Sequence, residues 1–142
     1  MKWLSDKPAF AAVVWSGLWL TLSEVVRYFV YVMPETREHF AVIEGVAPMN
    51  LGVFVLWSLW MTLLTLVVVY FYWLHAKVMG HSLKAVLLSA STSWLMFFVL
   101  FWFGNLNMGL AKLTTAVVAL PWAWFELLVT CWIAKSFLER SS

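Results

Sequence analysis

Glu24 and Arg27 stand one helical turn apart inside an apolar run covering 9–33, and a third ionisable residue, Glu126, lies alone in another apolar run near the far end of the chain. Such residues are costly in hydrocarbon, and in membrane segments they mark solute sites, ion paths or proton relays. The chemistry they offer is electrostatic. A carboxylate takes a proton or a cation, and a guanidinium presents five directed N–H donors. Because residues i and i+3 are neighbours on a helix surface, Glu24 and Arg27 are expected to pair with each other.

The polar residues around them sort onto helix faces. Gly17, Thr21, Glu24, Tyr28 and Tyr31 recur at spacings of three and four, which makes one polar and small stripe that should face protein. Ser58, Thr62 and Thr65 make a second stripe, of hydroxyls that commonly bond only their own backbone. Ala85, Ser89 and Ser93 repeat every four residues, as do Ala111, Thr115, Ala119 and Ala123. Small residues at that spacing let helix backbones approach closely, so the last two apolar runs should form a tight hairpin.

Glu126 follows Ala119 by seven residues and so shares nearly the same face. With the midpoint of each run taken as the membrane centre, Glu24 falls roughly 5 Å to one side and Glu126 roughly 6 Å to the other, level with Ser89. Glu126 is therefore expected to point at Ser89 and Ser93, with no cation of its own. Pro121 removes a backbone hydrogen bond and is expected to kink the helix beside Trp122 and Trp124. Glu24, Arg27, Glu126, Ser89 and Ser93 are thus the candidate solute-binding or proton-binding residues. The plainer alternative is that the first pair neutralises itself and Glu126 serves as interhelical glue.

Four elements must position these groups. Of 142 residues, 64% are hydrophobic and 11% charged, with 11 Trp, a composition far from that of soluble domains. Four apolar runs, 9–33, 51–74, 85–103 and 110–134, reach the roughly 20 residues needed to cross a hydrocarbon core. They are continuous rather than alternating, and an open sheet would leave backbone groups unpaired in lipid. The expected fold is an all-α integral membrane protein, a four-transmembrane-helix bundle forming one domain over 1–142. Pro34, Gly45, Pro48, Gly80, Gly104 and Gly109 punctuate the connections.

Charge sets the expected orientation. Lys2, Lys7, Lys77, Lys84, Lys135 and Arg140 fall on one side, and only Arg37 and Lys112 on the other, so both termini are expected in the cytoplasm of a bacterial inner membrane. Aromatic residues at 70–73 and at 102–103 sit where interfacial belts would place them. The first apolar run continues past Glu24 without a small-residue cleavage site, so it reads as a retained span rather than a signal peptide.

Several function classes lose support. A formal net charge of +2 without a basic run argues against nucleic-acid binding. A single cysteine, Cys131, cannot form an internal disulfide. His39, His75 and His81 do not show the spacing of a metal or haem site, and no cofactor is expected. No nucleophile, phosphate-loop or dinucleotide motif points to catalysis. The function expected first is binding or translocation of a small solute or proton, in a homo-oligomer or with a partner membrane protein in the lipid bilayer. The alternatives are a non-transporting accessory or assembly subunit, and a membrane-embedded enzyme or lipophile-binding protein.

Overall fold

A computed structural model describes residues 7–141, and Lys2, counted above among the basic residues, lies outside them. Four helices, α1 (Lys7–His39), α2 (Leu51–Met79), α3 (Leu83–Asn107) and α4 (Leu113–Leu138), are each long and apolar enough to cross a membrane. A short 3-10 turn, Glu139–Ser141, follows α4. Lys135 donates to Glu139 across this end at 2.6 Å, and that hydrogen bond holds the Glu139 carboxyl below its ordinary pKa.

Side-chain contacts fix an antiparallel, up-down-up-down arrangement. Ser16 bonds the carbonyl of Thr130 while Tyr31 bonds that of Thr114, so α1 and α4 run in opposite directions. Trp94 donates to the carbonyl of Leu120 and Trp124 donates to Ser91, which sets α3 against α4. Tyr72 meets His81 at 2.9 Å across the α2–α3 turn.

Each helix outlasts or shifts from its apolar run, because backbone hydrogen bonding continues wherever capping allows it. Asn50 caps α2 by accepting from the Val53 N–H at 3.0 Å, and Ser82 caps α3 by accepting from Ala85 at 3.2 Å. Lys112 keeps an extended backbone, so α4 starts at Leu113 rather than at 110. Replacing Asn50 with alanine is expected to lower stability by about 1 kcal/mol, read as a reduced midpoint of thermal unfolding.

Pro34 was expected to end the first span, yet α1 runs through it. The turn just before it, Tyr28–Val32, is a π-helix whose last bond joins the Met33 N–H to the Tyr28 carbonyl. Widening the helix there makes room for a ring that cannot donate. A second π turn, Leu95–Val99, interrupts α3. Pro121, by contrast, sits inside α4, which stays a single α-helix from end to end.

The core is built on small residues. Ala12, Ser16, Ala85, Ser89, Ala90, Ser93, Ala119, Ala123 and Ala134 are fully enclosed, and Thr115 is buried. The buried face of α1 is Ala9, Ala12, Ser16, Leu20, Glu24 and Arg27. The stripe drawn through Gly17, Thr21, Tyr28 and Tyr31 therefore flanks the core instead of forming it. Gly17 meets Thr65 of α2, where an added Cβ would lie 3.4 Å from the threonine methyl. Ser58, Thr62 and Thr65 each donate to the carbonyl four residues earlier, and Thr62 faces outward. Large apolar side chains such as Phe10, Leu22, Leu56, Leu100, Val117 and Phe125 are exposed on all four helices, an apolar surface of the kind that marks a membrane or protein contact.

Candidate functional site

Three ionisable side chains from two helices converge near the middle of the bundle. Arg27 bonds Glu24 through Nη2 to Oε1, and its Nε donates to Oε2 of Glu126 at 3.2 Å. Ser23 supplies the other oxygen of Glu126 with a hydroxyl donor at 2.7 Å. The Phe98 ring lies under the guanidinium, with Cζ 5.5 Å from the ring centroid. Glu24, Arg27 and Glu126 are all buried, and Glu126 is fully enclosed.

The seam between α1 and α4 positions this cluster. Ser16 donates to the Thr130 carbonyl at 3.1 Å, and Trp19 donates to the Glu126 carbonyl at 3.1 Å. The Thr130 hydroxyl returns to that same carbonyl at 2.7 Å. These bonds lock the two helices in register about two and three turns below Arg27, so its guanidinium reaches two carboxylates at once. One cation between two acids leaves a formal charge of −1 if all three are ionised.

The pairing corrects the expectation for Glu126, which is neither alone nor directed at Ser89 and Ser93. Ser89 donates to the Ala85 carbonyl at 2.7 Å and lies 3.0 Å from Nδ1 of His75, in a separate cluster nearer the chain termini. Ser93 is buried with no hydrogen-bond partner for its hydroxyl among the described residues. Glu24 and Glu126 lie at closer depths than their apolar runs imply, because the helices extend beyond those runs. The midpoint of Lys7–His39 falls at Ser23 and that of Leu113–Leu138 between Phe125 and Glu126, which brings Glu24 and Glu126 to one level.

A cavity of about 380 Å³ opens against this cluster. Glu24, Arg27, Tyr28 and Val32 of α1 form one wall; Trp57 and Trp60 of α2, with Phe97, Phe98, Phe101 and Trp102 of α3, form the others. No known family, curated protein or solved structure matches this chain. The site is therefore read on its own chemistry, a polar floor with aromatic walls.

Local backbone explains why the cavity exists. None of the first ten residues of α2, 51–60, is buried, although the helix packs closely from Met61 onward. Trp57 of this stretch packs against the core while Trp60 stays exposed, and both line the space. Tyr28 and Val32 belong to one π turn, and Phe97 and Phe98 to the other. Such turns shift the side chains beyond them by part of a helical turn and recur at functional sites.

Glu126 stands behind the cavity and not in its lining. Sequence reasoning missed Ser23, Phe98 and the aromatic walls. A signal for the walls was present, since Phe97, Phe98, Phe101 and Trp102 recur at three-to-four spacing on one face. Among the described residues no three His, Cys, Asp or Glu side chains gather as a metal would require.

Proposed function

We propose that the chain is an integral membrane protein of a bacterial inner membrane, with both termini in the cytoplasm, that binds a small solute or proton at the Glu24–Arg27–Glu126 cluster. The single observation that carries the reading is the cavity of about 380 Å³ whose floor is a buried ion pair held by a second carboxylate. A buried structural ion pair does not need an adjoining space of ligand size, whereas a binding site does. The surplus carboxylate adds a place for one proton or one compensating positive charge.

Reconstituted into liposomes under a pH gradient, the protein is expected to carry protons, followed with an entrapped pH dye. Glu24→Gln and Glu126→Gln are each expected to reduce that flux toward the level of empty liposomes. Unchanged flux in both variants overturns the translocation reading. A second reading, an accessory subunit that assembles with another membrane protein, has one observation in its favour: Glu126 is enclosed and bonded at both oxygens, as interhelical glue would be. It predicts instead that Glu126→Gln disturbs co-purification with a membrane partner and leaves flux at background in every variant.

A further inference from the structure

The cavity is lopsided in a way that selects for ligand chemistry. Its inner end is the pair Glu24 and Arg27, both buried. At its outer end are Trp60, 46% exposed, and Phe101, 63% exposed, on the outward surfaces of α2 and α3. The space therefore runs from the ion pair to the side of the bundle, between two helices, rather than along the bundle axis. In a membrane that side faces acyl chains.

Two polar atoms at the inner end remain unused. Glu24 spends Oε1 on Arg27, and Arg27 spends Nη2 on Glu24 and Nε on Glu126. Glu24 Oε2 and Arg27 Nη1 have no hydrogen bond to any described residue. Among the described residues the only fully enclosed side-chain polar atom without a partner is Ser93 Oγ. Those two atoms are consequently not sealed in packing, and the residues that carry them line the cavity. They offer one acceptor and one donor of opposite charge, on two side chains that are bonded to each other.

Resting on the solute-binding reading above, we infer that the ligand is a neutral amphiphile dissolved in the bilayer, with a hydroxyl-bearing aromatic head of the phenol or hydroquinone class and an apolar tail. One hydroxyl satisfies both free atoms, its O–H donating to Glu24 and its oxygen accepting from Arg27. Hydrogen bonds to charged partners in a water-poor site are the strong kind. The ring fits among Trp57, Phe97 and Trp102, where offset or edge-on aromatic contacts add to the burial. The tail leaves through the gap between Trp60 and Phe101. A charged ligand arriving by that route would cross hydrocarbon at high cost, and it would meet one like charge beside each opposite one.

The test uses a ring-brominated para-octylphenol, its methyl ether and the matching trimethylammonium compound, added to the full chain in nanodiscs. Bromine quenches indole fluorescence on contact, so occupancy appears as saturable quenching above that caused by lipid partitioning. The phenol is expected to bind about tenfold more tightly than the ether, which accepts but does not donate. Val32→Phe, which narrows the cavity without touching the ion pair, is expected to abolish the saturable part. Glu24→Gln is expected to shrink the preference of phenol over ether.

Equal affinity for phenol and ether overturns the hydroxyl head but leaves a solute site. Tightest binding by the trimethylammonium compound overturns the neutral class in favour of a cation, again leaving a solute site. Saturable quenching that persists in Val32→Phe places the ligand elsewhere and overturns the inference. Absence of saturable quenching by all three probes overturns the inference, and the solute-binding reading falls with it if proton flux is also at background.

Discussion

Arg27→Leu is expected to destabilise the folded bundle by about 3–5 kcal/mol, the usual consequence of removing one member of a buried ionic group and leaving the rest unpaired. Two carboxylates then remain in the interior, Glu24 at 3% exposure and Glu126 at 0%, with only the Ser23 hydroxyl to solvate them. The loss should appear as a lower midpoint in denaturant or thermal titrations of the purified protein, with much less monodisperse material recovered. Arg27→Lys should recover only part of it. An ammonium is a compact point charge, and it cannot present Nε to one carboxylate and Nη2 to another in fixed directions.

A triple replacement of Arg27, Glu24 and Glu126 by leucine or methionine should be far less damaging than Arg27→Leu alone, because no charge is left stranded. If the single and triple replacements cost the same, the three groups do not act as one electrostatic unit. A cycle between Arg27 and Glu126 isolates the weaker link in the cluster. Coupling in the range of about 0.5–3 kcal/mol is expected for groups in direct contact. Coupling near zero would separate Glu126 from the site altogether.

The bundle was more legible in the sequence than the site. Long apolar runs announce helices because nothing else satisfies the backbone in an apolar medium, and each of the four runs corresponds to one of the four helices. Their ends were harder to place. Residues 34–39 are mostly polar, so hydropathy stops at Met33 while the α-helical hydrogen bonds continue to His39. That error moved the inferred centre of α1 and separated Glu24 from Glu126.

Facing was the second obscured quantity. The spacing from Ala119 to Glu126 does place the two on nearly one face of α4, but α4 packs against α1 as well as α3, and spacing within one helix cannot choose between those neighbours. The choice is made by partners distant in sequence: Ser16 on the Thr130 carbonyl, Trp19 on the Glu126 carbonyl, and Arg27 on the carboxylate. The aromatic walls were obscured for a different reason. In a chain with 11 Trp, tryptophans near helix ends read as interfacial anchors. The spacing of Phe97, Phe98, Phe101 and Trp102 marks one shared face of α3, but nothing local says which helix that face meets, and Trp57 has no such pattern around it.

The small-residue seam offers the sharpest test of how packing sets the site. Ser16 is fully enclosed and donates across the α1–α4 contact, so Ser16→Ala should cost about 1 kcal/mol, the net worth of one hydrogen bond. Ser16→Leu asks for something different. A leucine has no room at an enclosed position, and overpacking of this kind typically costs about 1–3 kcal/mol on top of the lost bond. The helices can relieve it by moving apart, and helix association in membranes depends on close backbone approach at small residues.

That movement acts directly on the cluster. Arg27 and Glu126 sit on the two helices being forced apart, at a contact of 3.2 Å that tolerates little displacement. Ser16→Leu should therefore weaken the Arg27–Glu126 coupling measured in the cycle above, although position 16 is three helical turns from Arg27, whereas Ser16→Ala should leave that coupling intact. Equal coupling in both backgrounds would show that the ion pair holds its own geometry. Loss of coupling in Ser16→Leu alone would show that the geometry is imposed by the seam, with the alanines and serines of α1 and α4 determining how far a guanidinium must reach.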